Sequence, residues 1–230
     1  LVMLCTAILG KVIYRHREER KAKVFRYGLV NSNALFIGLP IIQSLLGDAG
    51  VLQLSMYMIF VRMFCWSYGL SLYTGVKSDW KGSFKRLLTH PCMIAAALGV
   101  AAMVTGIRLP AFLDRTLQYV SSCLMALSML LIGVVLSEIK LKEVFRGDVW
   151  RFTALRLGVM PGIVFGLCKL CGVPYIVTAT CTLVSGMPAA SLTAVLAARY
   201  HGDSELGALL VAVSTILSAV TIPLWFMILQ

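Results

Sequence analysis

Tyr27-Gly28-Leu29-Val30-Asn31-Ser32-Asn33-Ala34-Leu35-Phe36-Ile37-Gly38-Leu39-Pro40-Ile41-Ile42-Gln43-Ser44 is apolar enough to enter a bilayer, yet amides, a glycine and a proline interrupt it. A second stretch, Cys181-Thr182-Leu183-Val184-Ser185-Gly186-Met187-Pro188-Ala189-Ala190-Ser191-Leu192-Thr193, has the same character. Both place a glycine and a proline two residues apart, as Gly38-Leu39-Pro40 and Gly186-Met187-Pro188. Proline removes a backbone donor and clashes with the carbonyl four residues back, and glycine loosens the same turn. The pattern predicts that each helix breaks at its Gly-x-Pro triplet. A freed backbone group in hydrocarbon costs several kcal/mol, so such a break survives only where protein or a polar cavity satisfies it. Asn31, Ser32, Asn33, Gln43 and Ser44 surround the first triplet and Ser185, Ser191 and Thr193 the second. The breaks are expected to wall a site.

The two stretches match in register. Each proline lies 14 residues beyond the start of its span, taken at Arg26 and Pro174, and each span is followed by a Gly-Asp turn, Gly47-Asp48 or Gly202-Asp203, and a long apolar helix. Apolar stretches fall at 1–14, 27–47, 49–76, 87–107, 116–137, 152–170, 174–198 and 206–229. The broken spans are second and seventh in this order, so they enter the membrane from opposite faces. That arrangement is an inverted repeat, and paired interrupted helices in the two halves of a transporter point to its substrate site, with half-helix N-termini offered to anionic groups.

Composition sets the solvent. Of 230 residues 59% are hydrophobic and 13% charged, with a mean hydropathy of +0.87; a soluble domain has about 25% charged residues. At about 20 residues per spanning helix, the chain holds eight spans and no tandem soluble domains. The net charge of +11 would suggest a polyanion partner in a soluble protein, but its layout is topological. Lys11, Arg15, Arg17, Arg20, Lys21, Lys23, Arg26, Lys77, Lys81, Lys85, Arg86, Lys140, Lys142, Arg146, Arg151 and Arg199 fall on one side of an eight-span arrangement, against Arg108, Arg115 and Lys169 on the other. The positive-inside rule makes the basic side cytoplasmic and puts the C-terminus outside. The basic loop of residues 11–26 reads as a juxtamembrane segment attractive to anionic lipid. It lacks the interleaved aromatics of single-strand binders, so no nucleic-acid partner is expected.

At these residues the sequence resembles the auxin efflux carrier family, particularly its bacterial members. The resemblance rests on Asn33-Ala34-Leu35-Phe36-Ile37-Gly38-Leu39-Pro40, on Met187-Pro188-Ala189-Ala190, on Leu196-Ala197-Ala198-Arg199-Tyr200-His201-Gly202-Asp203, and on Ser214-Thr215-Ile216-Leu217-Ser218 with Thr221-Ile222-Pro223-Leu224. It implies an all-α polytopic membrane protein of two inverted five-helix repeats with two broken crossover helices, eight of about ten transmembrane helices being present here. It further implies that residues 1–76 are transport-domain helices three to five, 77–138 a cytoplasmic loop with scaffold helices six and seven, and 139–230 transport-domain helices eight to ten. Implied too are elevator-type alternating access, export or exchange of organic anions such as mono- or dicarboxylates, a multi-pass place in the plasma (inner) membrane and a homodimer through the scaffold. Asn33 stands at the family's crossover asparagine, and Pro40 and Pro188 at its crossover prolines. Ser191 and Thr193 stand where some members carry asparagine. A gated anion channel, or a sodium- or proton-coupled symporter, are the alternatives on the same architecture.

The expected substrate-binding set is therefore Asn31, Asn33, Gly38, Pro40, Gln43, Arg62, Gly186, Pro188, Ser191 and Thr193. Arg62, mid-span in Phe60-Val61-Arg62-Met63-Phe64, either faces the cavity as an anion partner or hydrogen-bonds carbonyls nearer the span end; a mid-membrane charge costs about 2.5–3.5 kcal/mol on insertion scales. Arg156, five residues past Arg151, is expected to snorkel to the cytoplasmic interface. No Asp or Glu lies in a span core, and His16, His90 and His201 sit in or beside loops, which favours a carrier without an intramembrane proton relay. Cys168-Lys169-Leu170-Cys171 is a lone C-x-x-C, read as apolar filling rather than a metal or redox site. Gly158, Gly162 and Gly166 recur every four residues as a close-packing face. No phosphate loop, nucleophile motif or paired-histidine site appears, so no enzyme activity, metal or cofactor is expected.

Overall fold

A computed structural model describes residues 2–74, 91–106, 109–137 and 144–230. Lys77, Lys81, Lys85, Arg86, Lys140, Lys142 and Arg108, which carry part of the charge sorting, lie outside the described residues, as do the ends of several expected spans. The described residues form helices and no β-strand. In chain order these are α1 (Val2–Ile13), α2 (Glu19–Val30), α3 (Leu39–Phe64), α4 (Leu70–Thr74), α5 (Pro91–Thr105), α6 (Ala111–Ser137), α7 (Gly147–Ala154), α8 (Met160–Leu170), α9 (Tyr175–Ser185), α10 (Leu192–Arg199) and α11 (Ser204–Leu229). Wide π turns at Ala34–Gly38, Cys65–Gly69 and Leu155–Val159 lead into α3, α4 and α8. Among the described residues three helical runs are long and apolar enough to cross a membrane: Ala34–Arg62, Gly147–Leu170 and Ser204–Leu229.

The two turns expected from Gly-Asp pairs are present. Gly47 bends α3 with φ of 62°, a left-handed value that glycine adopts without strain, and Gln43 Nε2 donates to Asp48 Oδ1 across the bend at 2.9 Å. At the second turn His201 carries the positive φ, 54°, Gly202 N closes onto Ala197 O at 2.8 Å, and Asp203 Oδ1 caps α11 by accepting from Leu206 N at 2.9 Å. A side-chain cap of this kind satisfies a backbone donor that the first helical turn leaves free.

Packing centres on α11, which touches α2, α6, α7, α9 and α10, while α9 lies between α8 and α3. One apolar cluster joins α2, α7 and α11 through Phe25, Leu29, Phe152 and Leu210; a second joins α3, α9 and α11 through Ile42, Leu54, Leu183 and Ile222. Among the described residues neither cluster draws on α5 or α6. Lipid tails are as apolar as leucine, so close backbone approach matters more than apolar burial here. At Gly207 an added Cβ would lie 3.0 Å from Ala194 Cα. Gly207→Val should push α10 off α11, and overpacking of this kind costs about 1–3 kcal/mol. A lowered melting temperature for Gly207→Val, beside an unaltered or raised one for Gly158→Ala, would show it. Gly158 and Gly166 meet open space and Gly162 meets Trp225, so within the described residues this stripe contributes one close contact.

Candidate functional site at the crossing of two helix breaks

The second break falls where the Gly-x-Pro triplet predicts it. α9 ends at Ser185 and α10 begins at Leu192, with Gly186 to Ser191 between them. The first break lies earlier than predicted. α2 ends at Val30, Asn31 is extended at φ −97° and ψ 109°, and the helical path resumes at Ala34, so that Gly38 has ordinary helical angles. Two causes account for the shift. Asparagine side chains compete with the helical backbone for hydrogen bonds, and Asn31 Nδ2 donates to Tyr27 Oη at 3.0 Å. Pro40 follows directly on the wide turn Ala34–Gly38, and an irregular turn of this kind accommodates a missing donor without ending the helix. Seven residues past Asn33, at about 1.5 Å rise per residue, Pro40 stands roughly 10 Å beyond the break.

The breaks cross each other and exchange main-chain bonds. Asn33 N donates to Pro188 O at 2.9 Å and Ala190 N donates to Asn31 O at 3.1 Å, forming an isolated antiparallel bridge centred on Ser32 and Ala189. Ala189 N finds the Ser214 hydroxyl of α11 at 3.1 Å. Two further carbonyls, Leu29 O near the end of α2 and Met187 O just past the end of α9, accept from Arg156: Nη1 reaches Leu29 O, and Nε reaches Met187 O at 3.0 Å. Ser214→Ala removes the acceptor for a buried N–H, which costs about 1–3 kcal/mol. Its melting temperature should fall, and Ser214→Thr, which keeps the hydroxyl, should recover most of the loss.

Arg156 does not snorkel to the interface as its distance from Arg151 predicts. It is 2% exposed and lies in the π turn between α7 and α8. Arg156 continues the buried face of α7 at ordinary helical spacing, three, four and seven residues past Thr153, Phe152 and Val149, and so turns inward rather than toward the interface. Pro161 lies just past the π turn: lacking an N–H, it cannot bond Leu157 O, and Trp225 Nε1 of α11 takes that carbonyl at 2.8 Å.

A cavity of about 60 Å³ opens beside the crossing, lined by Asn31, Ser32, Asn33, Arg62, Cys65 and Ser191 together with Leu35, Phe36, Met58, Val61, Ala190 and Leu192. The volume holds a few waters or a small polar head group. Its walls include the first residues of both second half-helices, which carry the positive ends of their dipoles. Among the described residues, buried Ser32 Oγ, Asn33 Nδ2 and Ser191 Oγ have no hydrogen-bond partner, and neither does Thr193 Oγ1 in the same segment. Buried polar atoms are nearly always bonded, so a cluster of unpartnered ones marks a place for a polar occupant.

Of the sequence-predicted residues, Asn31, Asn33, Arg62 and Ser191 line this cavity. Arg62 is half-buried. Gly186 and Pro188 shape the break through their backbone, and Thr193 is buried in the first turn of α10, where its methyl group would lie 3.4 Å from a Cβ added at Gly28. Gly38 packs against the Met187 side chain. Gly38 and Pro40 do not line the cavity. Gln43 is exposed and engaged with Asp48, because the helix has made several turns beyond the break before reaching it. Ser32, Cys65 and Arg156 are the additions; the helical spacing of Arg156 from Val149, Phe152 and Thr153 was the sequence signal for its inward face. Cys168 and Cys171 are free thiols.

Apolar helices of membrane length beside two crossing helix breaks and a polar cavity are features that membrane carriers combine. Comparison with known proteins agrees. A family model described as membrane transport protein matches residues 1–226, and the chain belongs to that family, which is of the auxin efflux carrier type. It is 28% identical over 229 residues to an uncharacterized transporter of Methanocaldococcus jannaschii, covering 95% of this chain and 71% of the relative. It is 29% identical over 198 residues to an uncharacterized transporter of Methanothermobacter thermautotrophicus, covering 86% of this chain and 65% of the relative. The family and these relatives are transporters rather than enzymes, and the chain is a membrane protein.

Proposed function

We propose that this chain forms the core of a secondary carrier for small organic anions, mono- or dicarboxylates, which bind where the two helix breaks cross. The observation that carries this reading is the convergence of unlike donors on one cavity. Ser32, Asn33 and Ser191 present unpartnered polar atoms there, the half-helix N-termini add partial positive charge, and Arg62 adds a full one. A carboxylate accepts from all of these and supplies none, whereas a cation would meet repulsion.

On this reading α1 to α4 and α7 to α11 make the transport domain, moving as an elevator against a scaffold of α5 and α6. The order of break, turn and long helix in α2–α3 and again in α9–α11, joined by an antiparallel bridge, supports an inverted repeat. The basic side remains cytoplasmic and the C-terminus external by the positive-inside rule, and a homodimer would form through the scaffold.

Ligand binding tests the site before transport is measured. Detergent-solubilised full-length protein should melt at a higher temperature with at least one mono- or dicarboxylate in a panel, since a ligand that binds only the folded state stabilises it. The matching amines should have no effect. Stabilisation by amines and not by carboxylates would reverse the assignment.

A further inference from the structure

The anion cavity accounts for the positive ends of the broken helices, and Arg156 occupies their negative ends. α2 and α9 both finish at the crossing, and a helix C-terminus carries roughly −0.5 of an elementary charge, so the pair presents about −1. One guanidinium matches that sum. Arg156 donates to Leu29 O at the end of the first half-helix and to Met187 O just past the end of the other, with its side chain buried. Among the described residues no carboxylate pairs with it; the ionisable groups in its electrostatic range are Tyr57 and Cys65, both neutral in their ordinary states. In carriers built from broken helices, unwound carbonyls and half-helix C-terminal ends are where coupling cations bind.

We infer that Arg156 is a tethered cation occupying the position a coupling ion would take, so that anion binding at the crossing needs no bound sodium, potassium or other small cation. The inference rests on the crossing being the anion site, but it concerns a different set of groups, two carbonyls and one guanidinium. It also assigns Arg156 a positioning role. By neutralising both half-helix ends it holds the two breaks in register, and it does so without contributing to the cavity wall.

The test uses full-length protein in detergent, with sodium, potassium, guanidinium or N-methylglucamine chloride at equal ionic strength. Melting temperature without any anion is one readout and carboxylate affinity the other. Wild type should be indifferent to the cation in both. Arg156→Ala should bind carboxylate about tenfold or more weakly in N-methylglucamine, from the loss of bonds to a charged donor. Its melting temperature and affinity should recover saturably with guanidinium, and in part with sodium. Arg156→Lys, which keeps the charge, should stay cation-indifferent. The proposal is overturned if Arg156→Ala responds to no cation, or if wild type itself requires one; the second result can be read even if no neutral variant folds. A carrier that binds no carboxylate but whose Arg156→Ala form still gains stability from guanidinium would sink the anion reading and leave this one standing.

Discussion

Arg62→Gln should cut the apparent affinity for the transported carboxylate about 10- to 100-fold. Arg62 is half-buried on the cavity wall and bonds none of the described residues, so its charge is available to an occupant. A hydrogen bond to a charged group contributes about 1.5–3 kcal/mol, and each 1.4 kcal/mol is about tenfold in affinity. Glutamine keeps a donor and much of the length while removing the charge. Initial uptake rates across a concentration series should show the loss in KM more than in kcat, because a bond present in both bound state and transition removes uniform binding when lost. Arg62→Lys should fall between the two, retaining a point charge without the planar fork. If Arg62 instead braces the end of α3, Arg62→Gln should lower the melting temperature and leave KM unchanged.

Asn33→Leu should have the opposite signature, losing transport without losing stability. Asn33 is 2% exposed, and its Nδ2 has no partner, while its backbone already holds the crossing through Pro188 O. An unsatisfied buried donor costs about 1–3 kcal/mol, and leucine of similar volume removes that donor and leaves the main-chain bond intact. The ligand-free protein should therefore melt at the same or a higher temperature while carboxylate flux falls by tenfold or more, as expected when a site loses a polar contact of about 1.5–3 kcal/mol to a charged group. A residue kept for folding would give the reverse, a lower melting temperature with flux reduced only in proportion to the folded fraction.

The sequence made the architecture of the crossing legible at the second break and less so at the first. Pro188 stands mid-span with no asparagine ahead of it, and the hydroxyls of Thr180 and Ser185 bond carbonyls within their own helix, so the Gly-x-Pro rule locates that break. In the first span the rule points to Pro40, but the break is taken by Asn31, Ser32 and Asn33. Their backbone groups are satisfied by a segment more than 150 residues away, and local propensity carries no information about such partners. Arg62, Asn33 and Ser191 line the cavity, and each stood out in the sequence because polar residues in hydrocarbon need a reason to be there. Gln43 was misplaced because closeness along the chain to a proline is not closeness to the break. Arg156 does not snorkel because it falls on the face that Val149, Phe152 and Thr153 bury at ordinary helical spacing, and closeness to Arg151 along the chain says nothing of which face a residue occupies. The carbonyls that Arg156 binds, Leu29 O and Met187 O, are distant in sequence, so its partners were not legible from local pattern.

The central claim is that small organic anions cross the membrane by binding at the crossing of the two breaks. Full-length protein reconstituted in proteoliposomes, given a panel of labelled mono- and dicarboxylates with and without proton, sodium and voltage gradients, tests it most directly. The account predicts saturable flux of at least one carboxylate, responsive to voltage, unchanged by removing sodium, and lost in Asn33→Leu. Flux of no carboxylate under any gradient, or flux that survives intact in Asn33→Leu, would contradict it.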